Sequence, residues 1–312
     1  MRIITDSKQQ KGGFLMEQTA IFCDADDFCN VYEKYCRNKL LMDKKAVVPK
    51  TRMSLSEIMT ILIMYHLSRY RTFKWYYTKH IMIHQRKDFP DLVSYNRFVE
   101  IMKFAFVPLI LYTIKARSGK CSRISFVDST PLKVCDNHRI HSNRVFSEYA
   151  KTGKSSMGWF YGFKLHLIIN DEGEILSFCL TSGNIDDRNE VVIDSPTKEI
   201  FGKLFADMSY ISQKLFEKLL KKDITLVTIT KKNMKNKLMD LYDRLMLRKR
   251  AVIESVNDFL KNTCDIEHSR HRSVTNFLVN LISALAAYSF LPKKPSVCSA
   301  SNMPKSFLCP FD

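Results

Sequence analysis

The sequence predicts an α/β chain in two parts: an all-helical segment over about 17–117, then a mixed five-stranded sheet with flanking helices over 121–292. Three observations predict it. In the first part apolar residues recur at helical spacing, as in Ile58, Ile61, Leu62 and Tyr65. In the second the period switches to two, with Tyr161, Phe163, Leu165 and Leu167 alternating against Gly162, Lys164 and His166. Beyond that strand, short apolar runs alternate with helical ones, and two such runs end in acidic residues, Phe-Val-Asp128 and Phe-Ala-Asp207.

Composition agrees with a folded chain. The 312 residues exceed a typical domain of ~100–200, and 46% of them are hydrophobic, enough for a sizeable core and too many for a disordered tail. Lys and Arg outnumber Asp and Glu by 49 to 32, a formal net charge of +17, which favours a polyanionic partner. A membrane surface is the competing polyanion, but no strongly amphipathic basic helix stands out. No stretch reaches the ~18–20 apolar residues of a membrane span. The best candidate, 277–291, is interrupted by Asn280, Ser283 and Ser289 and reads as a core helix. Residues 1–16 and 293–312 read as terminal extensions, and the first thirteen lack the apolar stretch of a signal peptide. Nine scattered cysteines without a Cys-x-x-Cys pair suit a reducing cytosol and speak against zinc.

In the helical part, Ser54-Leu-Ser-Glu57 is a capping box, and Ser94-Tyr-Asn opens a second helix carrying Phe98, Met102 and Phe106. Lys44, Lys45, Lys50, Arg52, Arg69, Arg71, Lys74 and Lys79 are interspersed, compatible with a helix-turn-helix module on DNA or with a solvated basic face. In the second part a strand over 124–128 leads into a basic segment, 133–154, read as a loop beside Asp128 that faces phosphates or simply water. A half-buried strand follows over 160–170, then the turn Asn170-Asp-Glu-Gly173 and a returning strand over 174–181. Helix 189–201, strand 203–207, helix 211–222, strand 224–230 and a long helix 245–262 complete the series. That order is the order of a ribonuclease H-like α/β domain.

Three carboxylates carry the chemistry. Phosphoryl transfer with two metal ions ~3.5–4 Å apart needs hard oxygen ligands, and Asp and Glu suit Mg²⁺ or Mn²⁺. Asp128 and Asp207 lie on strand ends and Glu254 on a helix. Taken singly, an Asp there is ordinarily a turn or cap residue and a helical Glu is ordinarily solvated. The surroundings of Glu254 shift the balance: at ~100° per residue, Arg250, Glu254 and Lys261 fall within roughly 40° of one another. Two cations beside a carboxylate could grip phosphates while the carboxylate holds metal.

Other residues have two readings. Lys164 and His166 share a strand face that touches DNA or solvent. The turn 183–188 brings Asp187 or Arg188 near the carboxylates, or caps the next helix. Lys231, Lys232, Lys235, Lys237, Arg248 and Lys249 form a basic run. His268, Arg270, His271 and Arg272 lack a cysteine partner and suit phosphates or bracing rather than zinc. Ser129 has no accompanying general base, so it supports its neighbouring carboxylate rather than acting as a nucleophile.

The chain resembles the DDE transposases of bacterial insertion sequences, most closely the family numbered nine-eighty-two, from about Cys23 to Pro295. The motifs are Phe-Val-Asp128-Ser-Thr, Met-Gly-Trp-Phe-Tyr-Gly-Phe-Lys164-Leu-His166, Gly183-Asn-Ile-Asp-Asp-Arg188, Leu-Phe-Ala-Asp207-Met-Ser-Tyr210, Arg-Lys-Arg250-Ala-Val-Ile-Glu254 and Ile-Glu-His268-Ser-Arg-His-Arg272-Ser. The resemblance implies that Asp128, Asp207 and Glu254 form a catalytic, metal-binding triad holding two Mg²⁺ ions, with Mn²⁺ substituting. Arg250 and Lys261 match a tyrosine-arginine-glutamate-lysine signature whose tyrosine falls here at Leu247, so no role of that tyrosine carries over. The span from Asp207 to Glu254 leaves no room for the large β-rich insertion of some relatives. A DNA transposase is implied, binding terminal inverted repeats, cleaving element ends and transferring the 3′-hydroxyl to target DNA. It would act as a homodimer or larger assembly in the bacterial cytoplasm, associated with the nucleoid. DNA contacts are expected at Arg250, Lys261, Lys164, His166, Arg270 and Arg272. A helical DNA-binding protein with a relic catalytic domain, and a nuclease or resolvase acting on DNA structure, are the alternatives.

Overall fold

The structure is a computed structural model that describes residues 6–40, 51–155, 158–189, 192–193, 196–229, 239–267 and 271–297, with only the backbone of 6–17 and 37–40. Its packing divides the chain into two compact units, Met1–Arg117 with Leu260–Phe290, and Ser118–Phe259 with Leu291–Asp312.

The first unit holds helices α1 (Asp6–Leu40), α2 (Leu55–Leu67), α3 (Tyr95–Ile101) and α4 (Phe106–Leu111) and, from the far end of the chain, Val274–Ser289. The capping box forms as read: the Glu57 amide donates to Ser54 Oγ at 3.1 Å and the Ser54 amide to Glu57 Oε2 at 2.7 Å. α2 buries Ser56 and then Ile58 through His66 without a break, and Val274–Ser289 buries Leu281 through Tyr288 in the same way. Helices apolar all round belong in an interior. Sequence order assigned 274–289 to the second part, within 121–292; the packing groups it with α2 instead, because a helix buried on every face needs neighbours on every face. His66 on α2 shows how tightly the two are joined, with its ring nitrogens 2.7 Å from the Cys264 carbonyl and 3.1 Å from Ser283 Oγ.

The second unit is built on a mixed six-stranded sheet: β1 (Ile124–Cys135), β2 (Lys151–Ser155), β3 (Gly158–Asn170), β4 (Ile175–Ser182), β5 (Gly202–Ala206) and β6 (Ile224–Thr228). The order is β2-β3-β1-β5-β6, with β4 also paired to β3. β1–β3, β2–β3 and β3–β4 are antiparallel; β1–β5 and β5–β6 are parallel. The sixth strand corrects the expectation of five. β2 lies in the segment read as a basic loop, because Lys-Thr-Gly-Lys-Ser is a polar edge strand with no apolar alternation to reveal it. At the β3–β4 turn Asn170 Oδ1 accepts from the amides of Glu172 and Glu174, at 3.1 and 2.9 Å, and Gly173 takes a positive φ of 75°.

Alternation gives the sheet two faces. Val127, Leu204, Ala206, Ile224 and Leu226 enter one core cluster with Leu215 and Leu219 of α5 (Gln213–Leu220). On the opposite face Phe126 and Phe205 meet at 5.6 Å between ring centroids. Lys203, also on that face, pairs with Asp243 of α6 (Leu241–Lys249) at 2.6 Å. The single long helix expected over 245–262 is two helices, α6 and α7 (Ala251–Asn262), with Arg250 between them. There the Ile253 amide bonds to the Arg250 carbonyl, a tighter turn than the helical ladder. The helix expected over 189–201 is not continuous among the described residues, since 196–199 form a turn. No helix among the described residues is long and apolar enough to cross a membrane.

Candidate active site

Register brings the two aspartates together. β1 and β5 run parallel with Phe126 opposite Phe205, and two residues further along each chain stand Asp128 and Asp207. A two-residue step keeps the face, so both carboxylates issue from the Phe126–Phe205 side of neighbouring chain segments, ~4.8 Å being the usual strand spacing. Asp207 follows β5 in extended conformation, φ −74° and ψ 167°, and its carbonyl accepts from the Tyr210 amide at 3.1 Å. Asp128, expected at a strand end, lies inside β1: Ser129, Thr130 and Val134 suit a strand and pairing with β3 continues past it, with Asp128 opposite Leu167.

The turn between α6 and α7 supplies Arg250, and α7 itself supplies the third acid, Glu254, and Asn257. Arg250 Nη2 donates to Glu254 Oε1 at 2.9 Å and Arg250 Nη1 reaches Asp128 Oδ1 at 3.5 Å. Asn257 Nδ2 donates to Asp128 Oδ2 at 3.0 Å. Arg250 is thus shared between two of the three acids. Asn257 escaped the sequence reading although a signal was present: seven residues beyond Arg250 lies at about −20° on the helix, next to the roughly 40° arc of Arg250, Lys261 and Glu254. Its uncharged amide does not stand out there beside Arg250 and Lys261.

Electrostatics ties the three acids into one site. Burial pushes the Asp128 carboxyl up to about 6; Arg250 and the Ser129 amide pull it down, and the like charges of Glu254 and Asp207 push it further up. Tyr210 is buried within reach of the same charges, its hydroxyl held well above the usual tyrosine range by burial and then by Asp187 and Asp128.

The residues expected to grip DNA divide. His166 is only 2% exposed, with Nε2 3.0 Å from Thr181 Oγ1, and burial pushes it down to about 4. A buried neutral imidazole offers no charge to a phosphate. Lys164 donates to the Ile185 carbonyl at 2.9 Å and pairs with Asp187 at 3.0 Å, so it holds the 183–188 turn against β3. Arg188 is exposed and pairs with Asp186 at 2.6 Å, holding that carboxyl down to about 2. Lys261 pairs with Glu267 at 3.3 Å within the helical unit. Arg272 is exposed, whereas Arg270 and His268 lie outside the described residues, as do Lys44, Lys45, Lys50, Lys231, Lys232, Lys235 and Lys237. Leu247, at the signature's tyrosine position, is a buried side chain of α6.

Whether these groups fit divalent metal has a two-sided answer. Among the described residues no three His, Cys, Asp or Glu side chains stand close enough to hold an ion as packed, and Arg250 lies between Asp128 and Glu254. The donor chemistry does fit: Asp128 feels the like charges of both Glu254 and Asp207, and Asn257 Oδ1 beside it is buried without a hydrogen-bond partner. Hard oxygens in charge surplus are what Mg²⁺ or Mn²⁺ neutralises.

The family model described as a transposase DDE domain matches residues 118–274, beginning where the second unit begins. No curated protein matches the chain.

Proposed function

Because this chain belongs to the family of transposases with a DDE domain, we propose that it cleaves the ends of its own mobile element and joins the freed 3′-hydroxyls to target DNA. The observation that carries this reading is the cluster at Asp128, whose carboxyl is pushed up by its partial burial and then by the like charges of Glu254 and Asp207, while Arg250 spans two of the three acids. A structural ion pair has no use for two surplus negative charges; phosphoryl transfer does. Asp128, Asp207 and Glu254 would hold the divalent cations, Mg²⁺ by preference. Bound there, such ions activate a water or a 3′-hydroxyl and stabilise the leaving oxygen.

The chain's own groups do the rest. Asn257 fixes the Asp128 carboxylate in orientation. Arg250 transfers its guanidinium from the acids to a DNA phosphate, a planar fork suited to that geometry. Exposed cations, Arg272 among them, bind the phosphate backbone, giving an affinity that falls steeply with salt. Lys164 and His166 act through the 183–188 turn and the sheet rather than by touching phosphate. Recognition of terminal inverted repeats, assembly as a dimer or more, and membership of insertion-sequence family nine-eighty-two belong to the same reading and rest on the sequence motifs. Water and the DNA hydroxyl supply both nucleophiles, so no covalent protein–DNA intermediate forms.

Cleavage of the element's own ends, with and without Mg²⁺, tests it. Asp128→Ala, Asp207→Ala and Glu254→Ala should each lower strand cleavage on the order of 10²-fold or more, the scale of losing a principal charge-stabilising group. Intact cleavage in all three folded variants would remove the triad assignment.

A further inference from the structure

Trp159 is a large apolar side chain for which neither the core nor the carboxylates have a use. It stands near the start of β3 with 62% of its surface exposed, while its neighbour Phe160 is buried. Its backbone is fixed, the carbonyl accepting from Asn137 Nδ2 at 3.0 Å. Lys154 is its partner in the β2–β3 register and places Nζ 5.8 Å from the ring centroid. Both line a cleft of about 470 Å³ shared with the ion pairs Lys164–Asp187 and Arg188–Asp186 and with Met208 and Ser209, which leaves Lys154 as the cation beside the ring. Met208 and Ser209 directly follow Asp207. An exposed indole with an ammonium beside it therefore opens into the same cleft as the chain leaving an active-site carboxylate.

We infer that this cleft receives one unpaired nucleobase of the DNA strand being cut, stacked on Trp159, with its phosphate drawn to Lys154. The inference rests on the transposase reading and adds a single-strand subsite to it. Size favours one nucleotide: the volume is that of a small-molecule site and far too small for a duplex. Chemistry favours a base, since an aromatic platform beside cations binds the π-face of any base whatever its sequence. Pairing must then be broken next to the cut, and the indole gives the displaced base a surface to rest on.

The chain has two tryptophans, Trp75 and Trp159, so the full-length Trp75→Phe protein reports Trp159 alone. Oligothymidylate should quench its emission saturably, and a blunt duplex of equal length should not. Trp159→Leu in the otherwise natural chain should weaken oligothymidylate binding about 5- to 100-fold, the range for losing one stacked base. Trp159→Phe should recover most of that loss, and duplex affinity should stay unchanged. Emission indifferent to oligothymidylate overturns the inference. So does an equal loss of duplex and single-strand affinity, or a change of oligomeric state in Trp159→Leu with DNA affinity intact, which would make the ring a subunit contact. Asp128→Ala separates this from the catalytic reading, because it should lose cleavage and still quench with oligothymidylate. Cleavage without quenching would sink the stacking subsite alone.

Discussion

His66 in the helical unit is buried and Asp128 in the sheet unit is largely withdrawn from water, and their surroundings treat these two ionisable side chains in opposite ways. Both ring nitrogens of His66 have partners, and burial pushes it down to about 4, so it is neutral across the physiological range. Its hydrogen bond to Ser283 joins α2 to the helix 274–289, and its bond to the Cys264 carbonyl ties α2 to the segment that precedes that helix. Nothing about it is in conflict. Asp128 is raised to about 6 and so is mostly ionised at neutral pH against the cost of burial, with two further acids adding repulsion, and Arg250, the Ser129 amide and the Asn257 amide opposing it. Satisfied burial marks structure, whereas burial with leftover charge marks a site that expects something else to bind.

The largest effect that would break this contrast comes from neutralising Asp128. Asp128→Asn should lower cleavage on the order of 10²-fold or more, yet make the metal-free protein more stable at pH 7. The sign follows from linkage. A carboxyl whose folded pKa lies above its unfolded 3.8 contributes stability that is present below about 3.8 and lost as pH rises through about 6. For a mostly buried carboxyl, a rise from 3.8 to about 6 corresponds to at most ~3 kcal/mol, less whatever the Arg250 contact returns. Urea unfolding in EDTA should show the variant gaining stability at pH 7 and the gain vanishing near pH 4. A loss at pH 7 would mean that Asp128 is an ordinary satisfied ion pair.

The helical unit should carry the opposite slope. His66 and His271 are both held down to about 4 by burial. A histidine whose folded pKa lies below its unfolded 6.5 contributes stability that is full above 6.5 and lost as pH falls toward 4, at up to ~1.4 kcal/mol per pH unit and per group. Amide exchange resolved by segment should therefore show α2 opening more readily as pH drops from 7 to 5. His66→Leu should be less stable at pH 7 and flatter in pH. Equal slopes in both units would erase the distinction between them.

What could be read in the sequence follows the same division. Periodicity identified α2 and β3 because one or two faces of each are apolar, and the three acids stood out because each follows or interrupts such a pattern. Partners were illegible for a physical reason: Arg250 and Asp128 lie far apart in sequence, and only the parallel register of β1 and β5 and the packing of α7 make them neighbours. A period reveals which way a side chain points and not what it meets. Lys164 and His166 illustrate this, since their alternation on β3 was visible and the burial of that face was not. The same limit explains β2, whose polar edge carries no period, and the helix 274–289, whose all-round apolarity says "interior" without saying whose.

Asn257 gives the smallest and sharpest test. Its amide donates to Asp128 Oδ2 and favours the ionised form, so Asn257→Ala should raise the Asp128 carboxyl above about 6. A hydrogen bond to a carboxylate counts ~1.5–3 kcal/mol at most, and water entering the space left behind recovers much of it. The expected change in cleavage near pH 7 is therefore only about threefold to tenfold, at ~1.4 kcal/mol per tenfold. Its form matters more than its size. If Asn257 holds the charge state of Asp128, the acid limb of the cleavage profile should move to higher pH while the plateau at alkaline pH stays near its original height. Asn257→Gln, which keeps a donor, should restore part of that limb. A uniform drop at every pH would assign Asn257 to the packing of α7, and the surplus charge at Asp128 would then be balanced by Arg250 and the Ser129 amide without it.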